Sequence, residues 1–443
     1  MDNLKDILLD EISDFRDFGH KFENKEISTV EFKGTSGGMG VYAHRGGKEF
    51  MIRLRIPSGI MTVEQLKFVY RLAKEKNLES IHTTTRQAIQ LHGLSIDEVC
   101  DVMIEALNNG IYTRGGGGNF PRNVSISPLS GVEKEEEFDV TPYAQAVNNH
   151  FMSKITTYKL PRKLKVSFSN NEKDCGNAKI ADLGFIAVKK DGKDYFKVYI
   201  TGGLGRNAAK AISYDQLIEA KDVLYHVEAM TNLFMAEGDY ENKNKARTRY
   251  ITARMGEEAV IECYKKHLVE VMEKEDLDLV VEESVINKVG TKIELNHNRL
   301  IEQKQEGLYT VNFHPIGGIL KLDTLKTILE SIQNAKDIDI RLAMDESMYI
   351  RNLDGNEAKV LLEVTEKLGG ETKLEQSTSC IGVPTCQIGI AESQSLLHET
   401  LDYFKEMNFD KDILPAIHIS GCNNSCGTHQ IGALGFAGKK KRV

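Results

Sequence analysis

The hydrophobic pattern of the chain changes its period repeatedly, which predicts both strands and helices. Apolar and polar residues alternate in FMIRLRIP from Phe50, and this period of two is typical of a strand. TVEQLKFVYRLAKEK from Thr62 has helical spacing, and RQAIQLHGL from Arg86 is again strand-like. The first twenty residues have the pattern of an acidic amphipathic helix. The strand, helix, strand order indicates an α+β fold made of two-layer sandwiches.

The chain also repeats itself, and the repeat predicts its organisation. Residues 59–94 align without a gap on residues 318–353, at an offset of 259. LPRKLKVSFSNNEKDCGNAKIADLGF from Leu160 parallels LPAIHISGCNNSCGTHQIGALGF from Leu414, at offsets that shrink from 254 to 251. Because the matches keep their order along the chain, we predict an internally duplicated protein with two similar halves around a pseudo-twofold axis.

The repeat predicts four segments of two alternating types. These segments are residues 1–110, 111–260, 261–370 and 371–443. The first half should contain further strands near Lys163–Ser169, Leu183–Lys190 and Tyr195–Ile200, followed by a helix from about Tyr214 to Met235. Residues 193–255 have no counterpart, so the second half is expected to be truncated at its C-terminal end. The acidic run at Glu133–Glu137 is predicted to be a solvated linker.

Composition narrows the class of protein. A chain of 443 residues that is 41% hydrophobic is globular and large enough for more than one core. The net charge of -8 argues against nucleic-acid binding, which needs a dominant basic surface. No membrane span and no signal segment are evident, so a cytoplasmic protein is expected. Seven cysteines, an odd number, argue against a secreted disulfide framework and favour a metal in a reducing compartment.

Four of the cysteines fall in two close pairs, which predicts a metal site. The pairs are Cys380-x5-Cys386 and Cys422-x3-Cys426, with 35 residues between them. Thiolate binds both zinc and iron-sulfur clusters, so the ligand type alone leaves both open. Gaps of five and three residues in glycine-rich loops favour the larger iron-sulfur cluster, because backbone amides there can point at sulfur. A four-thiolate zinc staple in a non-catalytic binding protein is the alternative.

Taken in order, the motifs resemble the sulfite and nitrite reductase family, which couples a siroheme to a [4Fe-4S] cluster. The resemblance spans nearly the whole chain and includes IRLRIPSG, HTTTRQAIQLHG, GGGGNFPRNV, LPRKLK, GGLG and both cysteine pairs. It implies an oxidoreductase with ferredoxin-like half-domains and siroheme/iron-sulfur α/β domains. It also implies two cofactors, siroheme and a [4Fe-4S] cluster.

The resemblance implies roles for individual residues. The cluster ligands would be Cys380, Cys386, Cys422 and Cys426, and Cys426 would also bridge to the siroheme iron. The substrate anion would be held by Arg86, Arg122, Lys163 and Lys165. Siroheme would lie against Arg114, Gly115, Gly116, Asn119, Gly202, Gly203 and Arg206, with Arg53 and Arg55 as further candidates. In the second half, acidic or apolar residues replace the anion-binding cations, so one half should hold the anion and the other the metal.

The resemblance favours sulfite as the substrate, reduced to sulfide by six electrons. Many nitrite-specific relatives carry Asn at the position of Lys165, whereas sulfite-type relatives carry Lys, and a second cation suits the sulfite dianion. Nitrite reduction to ammonia is the alternative. GGLGRN lacks the Gly-x-Gly-x-x-Gly spacing of a dinucleotide site, so electrons are expected from a separate ferredoxin or flavoprotein.

Overall fold

The computed structural model describes residues 2–282, 285–407 and 412–440. The chain forms two compact units. One, here called the discontinuous unit, comprises Met1–Gly116 and Asn287–Val443, and the other, the inserted unit, comprises Gly117–Ile286. Within the described ranges, no helix has the length and apolar character needed to cross a bilayer. The four-segment division made from the sequence stays a prediction.

Helices and strands alternate along both units. The helices are α1 (Asp2–Glu23), α2 (Thr29–Ser36), α3 (Val63–Glu75), α4 (Ile96–Asn108), α5 (Thr141–Ser153), α6 (Val223–Glu237), α7 (Arg249–Met255), α8 (Glu257–Lys274), α9 (Leu322–Ile332), α10 (Gly355–Val364) and α11 (Ser393–Glu406). The first ten strands are β1 (Val41–Ala43), β2 (Phe50–Leu54), β3 (Ile60–Met61), β4 (Ser80–Thr83), β5 (Ile89–Leu94), β6 (Ser125–Ile126), β7 (Val166–Ser169), β8 (Leu183–Lys190), β9 (Lys193–Ile200) and β10 (Ile212–Glu219). The later strands are β11 (Leu300–Glu302), β12 (Leu308–Phe313), β13 (Ile319–Lys321), β14 (Asp339–Leu342), β15 (Met348–Asp354), β16 (Thr378–Ser379), β17 (Ile417–Ser420) and β18 (Leu434–Ala437).

The discontinuous unit contains two half-domains of the same topology. The first has the sheet order β1-β2-β5-β4, and the second has the order β11-β12-β15-β14. Each half-domain also lends a short strand to the other, because β3 pairs with β14 and β13 pairs with β4. Met61 lies opposite Ile340, and Ile319 lies opposite His82. This reciprocal exchange confirms the predicted duplication around a pseudo-twofold axis.

Alternation along the strands decides which sheet face is buried. In β2, Phe50, Ile52 and Leu54 are fully buried in the apolar core, while Arg53 between them is half-buried on the other face. Helices α3 and α10 each begin at a capping box, formed by Thr62 in α3 and by Asp354 in α10. Such a cap stabilises a helix start by about 1 kcal/mol. Helices cover the apolar face of each sheet, and the other face is left for polar residues.

The inserted unit is built on one five-stranded sheet, in the order β10-β9-β8-β7-β6. Phe168, Phe185 and Phe196 are fully buried at its centre, and the rings of Phe168 and Phe185 stack with centroids 4.6 Å apart. The strands predicted near β7, β8 and β9 are confirmed. The helix predicted to start at about Tyr214 is wrong in its first part, since residues 212–219 form β10. Its apolar spacing fits a helix or a strand, and pairing with β9 decides in favour of the strand.

The second half ends in a small parallel sheet of order β16-β17-β18. This sheet repeats the parallel order β6-β7-β8 of the inserted unit. In each case a helix connects the first two strands, α5 in the inserted unit and α11 here. A parallel pair joined in this way brings the carboxyl ends of its strands to one edge, where binding residues commonly collect.

Candidate iron-sulfur and anion-binding sites

The cysteine pairs lie at the carboxyl ends of β16 and β17. Cys380 directly follows β16, and Cys422 and Cys426 lie in the loop after β17. Cys386 lies in the loop between β16 and α11, where its N–H donates to the Gly382 carbonyl at 2.7 Å. Because β16 and β17 are adjacent and parallel, the two loops emerge at the same edge of the sheet. We call this arrangement the cysteine pocket.

Backbone hydrogen bonds hold Cys380 in the cysteine pocket. Its N–H donates to the Ile419 carbonyl at 3.1 Å, and its carbonyl accepts from the Ser393 hydroxyl at 2.6 Å. The Gly421 N–H donates to the Cys380 Sγ at 3.1 Å. A backbone donor aimed at sulfur stabilises thiolate charge, as an iron-sulfur cluster requires. Ser393 and Gly421 were not among the residues predicted from the sequence.

The thiols of the pocket are costly to ionise without a cation. Burial, assisted by the nearby Cys426 thiol, raises the pKa of Cys380 to about 11. Burial also raises the pKa of Cys422, whose neighbours include Cys426 and Cys386. Bound iron would favour the thiolates, so the donor set fits a cluster. Among the described residues, no three His, Cys, Asp or Glu side chains converge as a single metal ion would require. Four thiolates on a four-iron cluster bind different irons and need no such convergence.

The TTRQ motif reaches the cysteine pocket within the discontinuous unit. The Thr85 hydroxyl donates to the Cys426 carbonyl at 2.7 Å, and Arg86 is the next residue. The loop is anchored at its start, where the Thr83 hydroxyl donates to the Glu346 carbonyl at 2.6 Å. The structure therefore brings the predicted anion-binding Arg86 next to the residue that holds Cys426. Thr85 was missed from the sequence, because a single threonine gives no signal of a distant partner.

The polar face of the first sheet supports the glycine run. Arg53 Nη1 donates to the Gly116 carbonyl at 2.7 Å, and the buried Arg55 donates to the Gly115 carbonyl at 3.3 Å. A side chain on Gly116 would lie 2.8 Å from a backbone oxygen, and Gly115 has a φ of +77°. Both positions therefore favour glycine for backbone reasons. Their role against siroheme stays a prediction.

Arg114, predicted as a siroheme counter-charge, pairs with the N-terminal helix. Its Nε lies 2.8 Å from Glu11 Oε2 of α1. The charge of Arg114 is therefore at least partly compensated within the discontinuous unit. Asn119, predicted beside it in the sequence, belongs to the inserted unit and is exposed. Any contact of either residue with siroheme stays a prediction.

Three of the predicted anion-binding cations lie on adjacent, paired segments of the inserted unit. The Arg122 N–H donates to the Leu164 carbonyl at 2.8 Å, and Pro121 forms a parallel bridge with Leu164. Leu164 is buried, whereas Lys163 and Lys165 on either side of it are half-buried. The guanidinium of Arg122 also donates to the Gly118 carbonyl, at 2.9 Å. Backbone pairing thus places Arg122 beside the lysine pair.

A buried aspartate links Lys165 to a second basic motif, KARTRY. The fully buried Asp182 accepts from the Lys165 N–H at 2.8 Å and from Arg247 Nη2 at 2.7 Å. The hydroxyl of Thr248 also donates to Asp182. This carboxylate therefore balances the charge of Arg247. The sequence offered the arginine-rich motif but no indication of which carboxylate it meets.

Arg249 adds a further cation beside the GGLG loop. Its guanidinium donates to the carbonyls of Arg206 and Asn207, each at 2.7 Å, but its Nη1 is buried with no hydrogen-bond partner among the described residues. Burial and the neighbouring Arg247 lower the pKa of Arg249. A side chain on Gly203 would lie 3.0 Å from this Nη1. The arrangement suits an anionic group such as a carboxylate, which siroheme would supply. The side chain of Arg206, predicted for that role, is exposed.

The acidic run at Glu133–Glu137 is not the simple solvated linker that was predicted. Glu133 Oε2 accepts from the side-chain amides of Asn170 and Asn171, at 2.8 and 3.0 Å. Glu136 accepts from the Gly131 N–H at 2.7 Å. Because these carboxylates satisfy donors of the loop after β7, the run is part of the folded inserted unit.

Comparison with known proteins agrees with this architecture. Residues 42–109 match the family model described as "Nitrite/Sulfite reductase ferredoxin-like half domain", and residues 117–272 match "Nitrite and sulphite reductase 4Fe-4S domain". Together they cover just over half of the chain. The Mycobacterium tuberculosis NirA protein is similar in structure, with a TM-score of 0.80 and 23% identity over 94% of this chain and 79% of that one.

Curated relatives carry two kinds of name. A chloroplastic ferredoxin–nitrite reductase of Betula pendula is 24% identical, with 89% of this chain and 68% of the relative aligned. The sulfite reductase [NADPH] hemoprotein beta-component of Geobacillus thermodenitrificans is 26% identical, with 88% and 74% aligned. The chain is thus an oxidoreductase, and the alternative of a non-catalytic protein with a four-thiolate zinc site is rejected. It belongs to the siroheme- and [4Fe-4S]-dependent nitrite and sulfite reductase family.

Proposed function

We propose that the chain reduces sulfite to sulfide with electrons that enter through a [4Fe-4S] cluster on Cys380, Cys386, Cys422 and Cys426. The bound siroheme would supply the iron at which the anion is reduced. The overall change takes up six electrons and eight protons for each sulfite dianion and releases hydrogen sulfide and three waters. The residues of the chain have two tasks, to hold the anion and to hold the cofactors.

The observation that carries this proposal is the backbone pairing that places Arg122 beside the segment of Lys163 and Lys165. Arg122 pairs with the backbone of Leu164, and Lys163 and Lys165 flank it. Three cations on paired segments would together suit a dianion better than a monoanion. The lysines can also pass protons to departing oxygens, whereas an arginine stays charged and can only hold the anion. In the discontinuous unit, Arg86 follows the residue that contacts Cys426, and it is proposed as a further anion-binding residue.

Siroheme is a polycarboxylate, and the GGLG region offers it a cation. We propose that Arg249 binds a siroheme carboxylate through the buried Nη1 beside Gly203. Replacing Arg249 with Met should lower the siroheme content of the purified protein, read from visible absorbance, while the iron-sulfur content is kept. Equal siroheme content in wild type and variant would remove Arg249 from this role.

The substrate assignment is tested by Lys165→Asn. With reduced methyl viologen as donor, kcat/KM for sulfite should fall about 10- to 100-fold, because a charged hydrogen bond contributes about 1.5–3 kcal/mol. The value for nitrite should fall less. Lys190→Asn, at an exposed lysine of the same unit, is the matched control. If the ratio of kcat/KM for sulfite to that for nitrite is unchanged in Lys165→Asn, Lys165 does not select sulfite.

Nitrite reduction to ammonia is the second candidate. It is favoured by the relatives named ferredoxin–nitrite reductase, which are as similar to this chain as the sulfite reductases are, at 24–26% identity. The same steady-state comparison separates the two. If kcat/KM of the wild type is higher for nitrite than for sulfite, nitrite is the preferred substrate.

A further inference from the structure

Two buried arginines approach the same glycine of the inserted unit and differ in how their charge is balanced. A side chain on Gly203 would lie 3.2 Å from Arg247 Nη2 and 3.0 Å from Arg249 Nη1. Arg247 and Arg249 are 8% and 7% exposed. Arg247 Nη2 donates to Asp182 Oδ2 at 2.7 Å, whereas Arg249 donates to backbone carbonyls. Within the part of the chain that the structure describes, Asp182 is the one carboxylate that forms an ion pair with either arginine.

Asp182 is held in place by donors from three segments of the chain. The N–H of Lys165, directly before β7, donates to its Oδ2 at 2.8 Å. The hydroxyl of Thr248, directly before α7, donates to its Oδ1. The N–H of Thr201, directly after β9, donates to its backbone carbonyl at 2.7 Å. The carboxylate is fully buried, so its pairing with Arg247 is fixed by the fold.

One positive charge beside the GGLG loop is left without a counter-charge. The Nε of Arg247 and the Nη1 of Arg249 are both buried and lack a hydrogen-bond partner among the described residues, but the guanidinium of Arg247 already shares the charge of Asp182. The uncompensated cation is therefore Arg249. A buried cation of this kind is costly, and an anionic ligand group that pairs with it lowers the cost.

We propose that Asp182 is a positioning residue of the siroheme site, which occupies Arg247 and thereby leaves Arg249 as the cation that binds a siroheme carboxylate. This inference rests on the proposed function, in which Arg249 has that role. Asp182 acts through Arg247, and its charge decides which of the two arginines is available to the cofactor. The same carboxylate holds the N–H of Lys165, so it also joins the segment of the proposed anion site to the siroheme site.

The test removes the two paired charges, first one and then both. Arg247→Met leaves Asp182 without its partner, so the carboxylate should attract Arg249 and withdraw it from siroheme. The double variant Asp182→Asn/Arg247→Met carries neither charge and should leave Arg249 available again. Because Asn keeps an oxygen that can accept from the Lys165 N–H, the backbone anchor is preserved in the double variant. Loss of packing or of hydrogen bonds alone would not be repaired by a second substitution.

Two exposed residues of the same unit provide matched controls. They are Asp191→Asn, in the turn between β8 and β9, and Arg254→Met, on α7. The siroheme Kd is measured by titrating protein that contains the cluster and no siroheme with isolated siroheme, followed by visible absorbance. Siroheme content per cluster iron is measured in protein purified with siroheme. Neither measurement depends on turnover.

The siroheme Kd should rise about 10- to 100-fold in Arg247→Met, as expected for the loss of one charge-assisted hydrogen bond, and return to the wild-type value in the double variant. Both controls should match the wild type. A wild-type Kd in Arg247→Met, or a double variant that binds siroheme as weakly as Arg247→Met does, would overturn the inference.

If Arg247→Met does not fold, the double variant still decides, because it buries no unpaired carboxylate. A wild-type Kd in the folded double variant would then support the role of Asp182, and a raised Kd would overturn it. A siroheme-loaded wild type that reduces neither sulfite nor nitrite would contradict the proposed function instead, and the comparison of Kd values would still stand.

Discussion

The cysteine pocket of the second half and its counterpart in the first half have the same backbone arrangement. They differ in the side chains that fill the pocket. The counterparts of Cys380, Cys386, Cys422 and Cys426 are, in that order, Ser127, Glu133, Asn171 and Cys175. We call this second set the matched pocket. The N–H of Cys380 donates to the Ile419 carbonyl of the neighbouring strand β17 at 3.1 Å, and that of Ser127 donates to the Phe168 carbonyl of β7 at 3.2 Å. The N–H of Gly421 donates to Cys380 Sγ at 3.1 Å, and that of Asn170 donates to Ser127 Oγ at 3.4 Å.

The two pockets differ in how their polar groups are satisfied. In the matched pocket, Glu133 accepts from both Asn170 and Asn171 and also pairs with Lys173. Hydrogen bonds among its own side chains therefore occupy this pocket, and Asn170 Oδ1 is the buried atom that they leave without a partner among the described residues. In the cysteine pocket, burial raises the thiol pKa of Cys380 and Cys422, so the thiolates need an external positive charge. One duplicated backbone thus yields a site filled by its own side chains and a site that we propose is completed by an iron-sulfur cluster.

The largest expected effect separates Cys426 from its counterpart Cys175. Cys426→Ser should lose cluster iron and sulfide and lower turnover by more than about 100-fold, because even changes outside the ligand set cost about 10- to 100-fold. Cys175→Ser, the same chemical change in the matched pocket, should keep both. Iron and sulfide analysis together with viologen-driven turnover is the measurement. If both variants kept the cluster, the assignment of Cys426 would be lost.

The next effect tests whether the matched pocket is structural. Glu133→Ala removes the shorter hydrogen bonds of the Asn170 and Asn171 side-chain amides, which keep only Glu136 Oε2 at 3.1 Å and the Glu135 carbonyl at 3.4 Å. The free energy of unfolding should therefore fall by about 1–3 kcal/mol. Cluster content should not change. Denaturant unfolding checks the first expectation, with Glu135→Ala as the control, since Glu135 is 72% exposed. A loss of cluster iron in Glu133→Ala would break the distinction between the two pockets.

A buried histidine of the inserted unit, which contains the matched pocket, predicts a response to acid. Burial lowers the pKa of His226 in α6 to about 3, and its Nδ1 lies 2.7 Å from the Tyr264 hydroxyl. The folded state therefore keeps His226 neutral, while the unfolded chain binds a proton below about pH 6.5. The stability that this histidine contributes is fully present above pH 6.5 and is lost as the pH falls, by about 1.4 kcal/mol per pH unit down to about pH 3.

Unfolding of the wild type should thus become easier by about 2 kcal/mol between pH 7 and pH 5 through His226 alone. His226→Gln should remove that part of the pH slope, although it lowers stability at pH 7. His398→Gln, at an exposed histidine of α11, is the control and should leave the slope unchanged. Denaturant midpoints measured at pH 5, 6 and 7 decide the matter, and parallel slopes in all three proteins would refute this account.

The smallest expected effect concerns the contact between the TTRQ loop and the cysteine pocket. At offset 259 the counterpart of Thr85 is Met344, which has no hydroxyl. Thr85→Met removes the hydrogen bond to the Cys426 carbonyl and should cost about 1 kcal/mol of stability. It should also shift the midpoint potential of the cluster, because it loosens a backbone segment next to a ligand. Thr327→Met on α9 is the control, and an identical potential in both variants would show that the contact is inert.

Local sequence patterns predicted more of the fold than of the candidate site. The period of two in β2 and the helical spacing of α3 were sufficient because each pattern lies within one element. Tyr214 was assigned to a helix because its apolar spacing fits both periods, and only pairing with β9 separates them. The role of Glu133 was missed for a related reason. A run of carboxylates looks solvated until the amides that approach it are known.

By itself, the sequence determined the duplication, the two cysteine pairs and the family, because these depend on residue identity and on order along the chain. Tertiary structure decided which distant groups meet. It placed Thr85 against Cys426, Arg122 against Leu164 and Arg247 against Asp182. It also decided that the matched pocket, unlike the cysteine pocket, is filled by its own side chains. Such contacts depend on strand pairing and burial between residues far apart in the chain, and no local pattern encodes them.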